Sequence, residues 1–204
     1  AGGGSLKSFS SDLGQTWSVP SAVPNTATGF PWATEGNTGV DRDGSGNATK
    51  IMEIGYGSGE ASFPGGAFTG YYRETVDGGT TWTGAGGVGA ETNPGTAWKF
   101  NSLDGNSTPV LRGVSEGSVV RADNGDLVAA LRTDLPAVYF DGLGGPNFAT
   151  DALEGTAISI SSDNGATWSA LDILYDAGRH HGNLQKLPSG DLALTMIVRN
   201  DVRG

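Results

Sequence analysis

The chain has 204 residues, a formal net charge of −10 and no cysteine, which excludes disulfides and thiolate metal sites and argues against phosphate backbones and anionic membrane surfaces as partners. Glycine supplies 35 of the 204 residues, far above the usual share of about 7%, and is dispersed among turns without a collagen period, as many short strands would require. No apolar run approaches the ~20 residues that span a bilayer, so neither nucleic acid nor membrane is an expected partner.

In chain order, the first recognisable element is the octapeptide Ser10-Ser11-Asp12-Leu13-Gly14-Gln15-Thr16-Trp17, which recurs at 75–82 and 161–168. The pattern is [ST]-x-D-x-G-x-T-W, and three copies in one chain make an internal repeat. Asp caps a tight turn with its side chain, Gly takes a positive-φ position, and Thr-Trp begins a returning strand with Trp as its apolar anchor. Each box is therefore a β-hairpin tip, and Trp17, Trp82 and Trp168 are all expected to be largely buried.

Between the first two boxes lies Asp41-Arg42-Asp43-Gly44-Ser45-Gly46-Asn47, which has the opening of a D-x-D-x-[DNS]-G calcium loop. Met52 stands at its twelfth position, where a bidentate Glu belongs, and a Gly-rich hairpin turn accounts for the segment equally well. Calcium at Asp41, Asp43 and Ser45 is not expected, nor is any other metal or cofactor. Ala48–Gly55 and Ala67–Glu74 read as strands, the second leading into box two. Ser118–Arg121 and Asp126–Arg132 form a hairpin around Asp123-Asn124-Gly125, a strong turn signal. Thr156–Ser161 leads into box three. Asn183–Leu187 and Asp191–Arg199 flank Pro188-Ser189-Gly190, a hairpin that aligns with the one at 120–127. Each hairpin ends in Arg and a polar pair: Arg132-Thr133-Asp134 and Arg199-Asn200-Asp201. The long segments Pro20–Asn37, Gly84–Asn106 and Asp134–Glu154 are Gly/Pro/Thr/Asn-rich loops, where ligand contacts are commonly built.

The octapeptide resembles the Asp box of the sialidase (neuraminidase) superfamily. The resemblance implies an all-β fold of the six-bladed β-propeller type, with about three to four blades in residues 1–204, read as a single partial propeller domain. It places the boxes on the face away from the active site. The segment from Glu116 through Arg132 is similar to the sialidase stretch in which a Glu precedes an apolar strand, a turn and a returning strand ending in Arg. By that resemblance Glu116 is the carboxylate that activates a Tyr nucleophile, and Arg132 is one of three arginines that grip the substrate carboxylate. Arg199 is the preferred candidate for another of them. The chemistry is consistent: a planar guanidinium holds a carboxylate in two-point fashion, and a buried Glu beside Tyr serves as its base.

The family's first Arg and acid/base Asp would lie before Ala1 and its Tyr after Gly204. Tyr71, Tyr72 and Tyr139 are not placed to be the nucleophile. His180 and His181 are the only histidines and are adjacent. Neighbours on a strand point to opposite faces, so at most one is expected to face a central pocket and touch substrate. The reading is a secreted or periplasmic glycosidase that removes a terminal acidic sugar from glycans. The ring would be completed by further chain segments or copies. Two alternatives remain. One is a non-catalytic propeller that binds glycan or protein. The other is a glycan-cleaving propeller of different specificity that uses His180 or His181.

Overall fold

The structure, a computed structural model, describes residues 6–22, 34, 36–58, 68–83, 87–88, 113–134, 154–175 and 178–198. Every regular element among them is a β-strand, and none is a helix long and apolar enough to cross a membrane. The order is β1 (Leu6–Lys7), β2 (Ser21–Ala22), β3 (Gly39–Arg42), β4 (Ala48–Ser58), β5 (Phe68–Thr75), β6 (Gly87–Val88), β7 (Gly113–Arg121), β8 (Leu127–Asp134), β9 (Gly155–Ser161), β10 (Asp172–Tyr175), β11 (Arg179–Lys186) and β12 (Leu192–Val198). The predicted strands fall within these spans, apart from residues at their edges.

Each sheet is an antiparallel meander: β3-β4-β5-β6 and β7-β8-β9-β10 have four strands each, and β1-β2 and β11-β12 have two. The last three sheets stack face to face in chain order, with β7 against β3, β4 and β5, and β11 against β7, β8 and β9. Strand alternation makes the stacking possible. On β8, Leu127, Ala129 and Leu131 are fully buried with Met52, Ile54, Tyr72 and Trp168, toward the preceding sheet. The intervening Val128 and Ala130 pack with Leu184, Leu192 and Leu194, toward the following one. One sheet thus serves two cores, and its strands carry apolar residues on both faces.

The octapeptides form the outer hairpin tips as expected. In box three, Ser161 Oγ donates to Asp163 Oδ1 (2.8 Å) and accepts from Gly165 N (2.8 Å). Asp163 in turn accepts from Thr167 N (2.8 Å) and Thr167 Oγ1 (2.6 Å). Boxes one and two repeat this pattern on Asp12 and Asp77. Bonds from the Thr hydroxyl, then from the Thr backbone, hold Asp12 and Asp163 at about 2, well below the ordinary carboxylate value, and Asp77 is lowered likewise. The glycines are left-handed, with φ of 87°, 84° and 86° at Gly14, Gly79 and Gly165. The residue before each is left-handed too: Leu13, Gly78 and Asn164.

The three tryptophans do not share one fate. Trp168 is 8% exposed and stacks 5.6 Å from Tyr72 of the preceding sheet. Trp82 is half-buried under Arg73, whose guanidinium lies 4.0 Å above its ring. Trp17 is 65% exposed, contrary to expectation. The reason is that a box is covered by the sheet before it. A side chain three residues ahead of one box lies against the Gly of the next, as Lys7 does at Gly79 and Tyr72 at Gly165. Among the described residues no sheet precedes box one.

Two glycines separate backbone strain from packing. Gly125 has φ +94° with open space where a Cβ would sit, whereas at Gly165 (φ +86°) a Cβ would lie 2.3 Å from Tyr72 Cε1. Gly125→Ala should cost about 1–2 kcal/mol from backbone alone, and Gly165→Ala about 1–3 kcal/mol more from overpacking. Equal urea midpoints for the two variants would refute this packing of box three. The Asp turns make a separate prediction. A carboxylate whose folded pKa is depressed stabilises fully above its unfolded value, and that stabilisation is lost as pH falls through the folded value. For Asp163 the window runs from 3.8 down to about 2. Thr167→Val should move the Asp163 titration, followed by carboxyl NMR, upward toward 3.8.

Candidate functional site

The strand register separates the two ends of each sheet. Arg121, Leu127 and Ser161 lie side by side where β7 pairs β8 and β8 pairs β9, so box three begins at that end. Gly113, Asp134 and Gly155 mark the other end, which also receives the start of β11. Glu116, Arg132, Glu154, His180 and His181 all stand toward this second end. Glu116 is separated from Arg121 by about 16 Å of strand.

Two β-bulges shape the cluster. The β7–β8 register slips between Val114 and Gly117, and the β11–β12 register slips between His180 and Asn183. In the hairpin alignment that pairs Val120 with Gln185, Glu116 and His181 are equivalent residues, each within its bulge. A bulge re-aims side chains and breaks strict alternation. His181 adopts φ +55°, left-handed for a residue with a Cβ. The expectation that the two histidines face opposite ways is therefore corrected. Their ring centroids are 4.7 Å apart, and both offer an atom to the same cluster as Glu116.

Ser118 locks the bulged strands together. Its fully buried hydroxyl donates to Gly182 O (2.8 Å) and accepts from Leu184 N (2.8 Å), joining β7 to β11. Close approach is possible because small residues meet there. A Cβ on Gly182 would come within 3.0 Å of Thr156 and 3.2 Å of Ala130, and one on Gly117 within 2.8 Å of Ile54 and Leu131.

Electrostatically the cluster is a chain of opposite charges. Arg132 Nη1 donates to Glu116 Oε1 (2.8 Å) and Oε2 (2.7 Å), 16 residues away across the hairpin. Arg132 Nη2 is paired with Glu154 Oε2. His181 Nε2 lies 3.0 Å from Glu116 Oε2. The side chains of Glu116, Arg132, Glu154 and His181 are 8%, 12%, 5% and 16% exposed, so the charges are largely withdrawn from water with an opening on the His181 side. His180 is fully buried.

Sequence reasoning missed Glu154. It precedes Gly155 at the edge of a long loop, and the available signal was an acidic residue two positions before Thr156, the β9 partner of Arg132. Arg199 and Tyr139 lie outside the described residues, as does most of each long loop. Tyr72 sits near box two and gives its hydroxyl to Glu74 (2.6 Å); burial, then Glu74, push its phenol well above the ordinary value, so it is held protonated. The Asp41–Asn47 segment is a hairpin turn. Asp43 accepts from Ser45 N, Asn47 N and Asn47 Nδ2 (2.9, 2.9 and 3.1 Å), and Asp41 is engaged by Arg121 (2.9 Å). A cavity of about 780 Å³ lies between the inner strands β3, β7 and β11, lined by Asp41, Arg121, Leu184 and Lys186 among others. Neither Glu116 nor Arg132 lines it, and its Asp41, Arg121 and Lys186 side chains are already held in ion pairs.

No family model and no curated protein sequence matches the chain. Solved structures do. A protein of unknown function from Dyadobacter fermentans superposes with a TM-score of 0.62 at 20% identity, over 95% of this chain and 44% of that one. The Hadza microbial sialidase Hz136 gives 0.56 at 19% identity, over 97% and 35%. Trypanosoma rangeli sialidase gives 0.51 at 16%, over 94% and 29%. At such identity the likeness concerns the fold: this is an all-β, partial β-propeller of the sialidase type. The chain spans less than half the length of the structures it matches.

Arg132 between two carboxylates yields a stability prediction. Removing a buried ion-pair partner leaves uncompensated charge, so Arg132→Leu should cost about 3 kcal/mol. Glu154→Gln should return part of that loss in the Arg132→Leu background while destabilising the parent. Strict additivity in urea denaturation would show that the contact does not exist in solution.

Proposed function

We propose that this chain is part of a sialidase-like glycoside hydrolase that removes a terminal acidic sugar from glycans. The observation that supports the reading is the Glu116–Arg132 pair, set by a bulge at the sheet end away from the boxes, on a fold shared with sialidases. Fold alone does not assign function, so the weight rests on this pair. In the proposed mechanism Glu116 takes the proton from a Tyr nucleophile supplied beyond this chain. As the phenolate attacks the anomeric carbon the glycosidic C–O bond breaks, and the acid/base Asp from beyond this chain gives its proton to the departing oxygen. Water then hydrolyses the tyrosyl intermediate that replaces the usual carboxylate ester. A Tyr that stays neutral until Glu116 takes its proton suits a substrate that itself bears a carboxylate. Arg132, with Arg199 as a further candidate, would hold that carboxylate. The remaining blades, the first Arg and the acid/base Asp would come from further segments or copies, and the enzyme would act outside the cytoplasm.

One observation favours a second reading. Arg132 already faces both Glu116 and Glu154, and a guanidinium so neutralised attracts a substrate carboxylate less. A glycan-processing or glycan-binding propeller for a neutral sugar, contacted by His181, would need no such attraction.

The test is hydrolysis of fluorogenic sialosides and of neutral glycosides by the intact protein. Glu116→Gln should lower kcat by about 10²-fold or more. Arg132→Lys keeps the charge but loses the fork, and should raise KM for the acidic substrate more than for a neutral one. Turnover confined to neutral glycosides would replace the first reading by the second. Glycan binding without turnover would leave a non-catalytic propeller.

A further inference from the structure

We propose that Glu116, His180 and His181 form a binding site for a divalent first-row transition metal of the zinc type. One ligand atom from each lies within 4.8 Å of the others. His181 Nε2 and Glu116 Oε2 are 3.0 Å apart, a hydrogen-bond separation that has to open only to roughly 3.4 Å for both atoms to become tetrahedral ligands at about 2.1 Å from one ion. Two imidazoles and one carboxylate are the donor set of zinc and related ions, and three protein ligands leave a coordination position open.

Three further observations support the assignment. The first is backbone geometry. An ordinary strand would send His180 and His181 to opposite faces; the bulge and the φ of +55° at His181 bring both to Glu116. Strain of this kind concentrates at functional positions. The second is charge. Glu116 and Glu154 both pair with the guanidinium of Arg132, so two carboxylates lie where a cation would be held. Glu154 also offsets the guanidinium that would otherwise repel the ion. The third is orientation: Arg132 Nη1 donates to both oxygens of Glu116 (2.8 and 2.7 Å), so on metal binding it would keep Oε1 and steady the carboxylate while Oε2 exchanges its bond to Arg132 for the metal.

This inference shares Glu116 with the glycosidase reading but is measured without any glycan, so the failure of one is distinguishable from the failure of the other. Zinc chloride is titrated by calorimetry into the intact protein, freed of any oligohistidine tag, and cobalt(II) binding is followed by visible d–d absorption. The expected result is one ion per chain, with cobalt bands indicating nitrogen ligation and displaced by zinc. His181→Gln, half out of the core, should weaken zinc by on the order of 10- to 100-fold or more with an unchanged circular dichroism spectrum. His180→Gln should do the same, and His181→Gln keeps the test valid if the buried position does not tolerate substitution. No zinc binding, or binding equal in the parent and in His181→Gln, overturns the proposal: the acidic surface would then hold the ion, or none would be held.

Discussion

The buried hydroxyl of Ser118 is the contact on which the candidate site depends. It spans two sheets, serving Gly182 O and Leu184 N of β11 from a position on β7. Backbone groups beside a bulge lose their ladder partners, and an unpaired buried amide or carbonyl costs about 1–3 kcal/mol. Ser118 satisfies one of each. It thereby allows β11 to bulge beside β7, and the two bulges present Glu116 and His181 to one another from successive sheets. The small residues around it, Gly117, Gly182 and Ala130, are the steric counterpart of the same junction.

Around that junction the protein accumulates charge in a largely dry place. Two carboxylates, a guanidinium and two imidazoles lie at one end of adjacent sheets, where only excellent mutual pairing offsets desolvation. Apolar residues would have packed there at lower cost. The opposite end is treated differently. Arg121 joins Asp41 of one sheet to Gly125 O and to Asn164 of box three, and Lys50 and Tyr72 converge on Glu74. Those links cross sheets and turns and leave no concentrated reactive set. One end is a fastening, and the other gathers the candidate site.

The boxes contribute stability of another sort. Each turn satisfies its own polar groups through Asp, Ser or Thr, and Thr, then exposes a Gly surface against which the preceding sheet lays a side chain. Lys7 and Tyr72 occupy that role in turn. A repeat of this kind propagates sheet after sheet and asks little of the residues between, consistent with fold likeness at 20% identity or less. Both readings of the cluster's chemistry rest on the same scaffold.

The residue pattern alone determined the all-β class, the three hairpin tips and the strand pairs around Asn124-Gly125 and Ser189-Gly190, and it singled out Glu116, Arg132 and the two histidines as candidates. These follow from local chemistry: turns need particular side chains and positive φ, and strands alternate. Alternation also produced the error at His180 and His181, because a one-residue bulge inverts every inference drawn from a period of two, and no local signal in Gly178–Asn183 announces it. Trp17 misled for a related reason, since burial of a box depends on the sheet before it. Glu154 was invisible because its partner Arg132 is 22 residues away and is met only through the β8–β9 register, in which Thr133 lies beside Gly155. Tertiary structure decided which charges share one site, because that depends on contacts between sheets and a single chain pattern encodes only contacts within them.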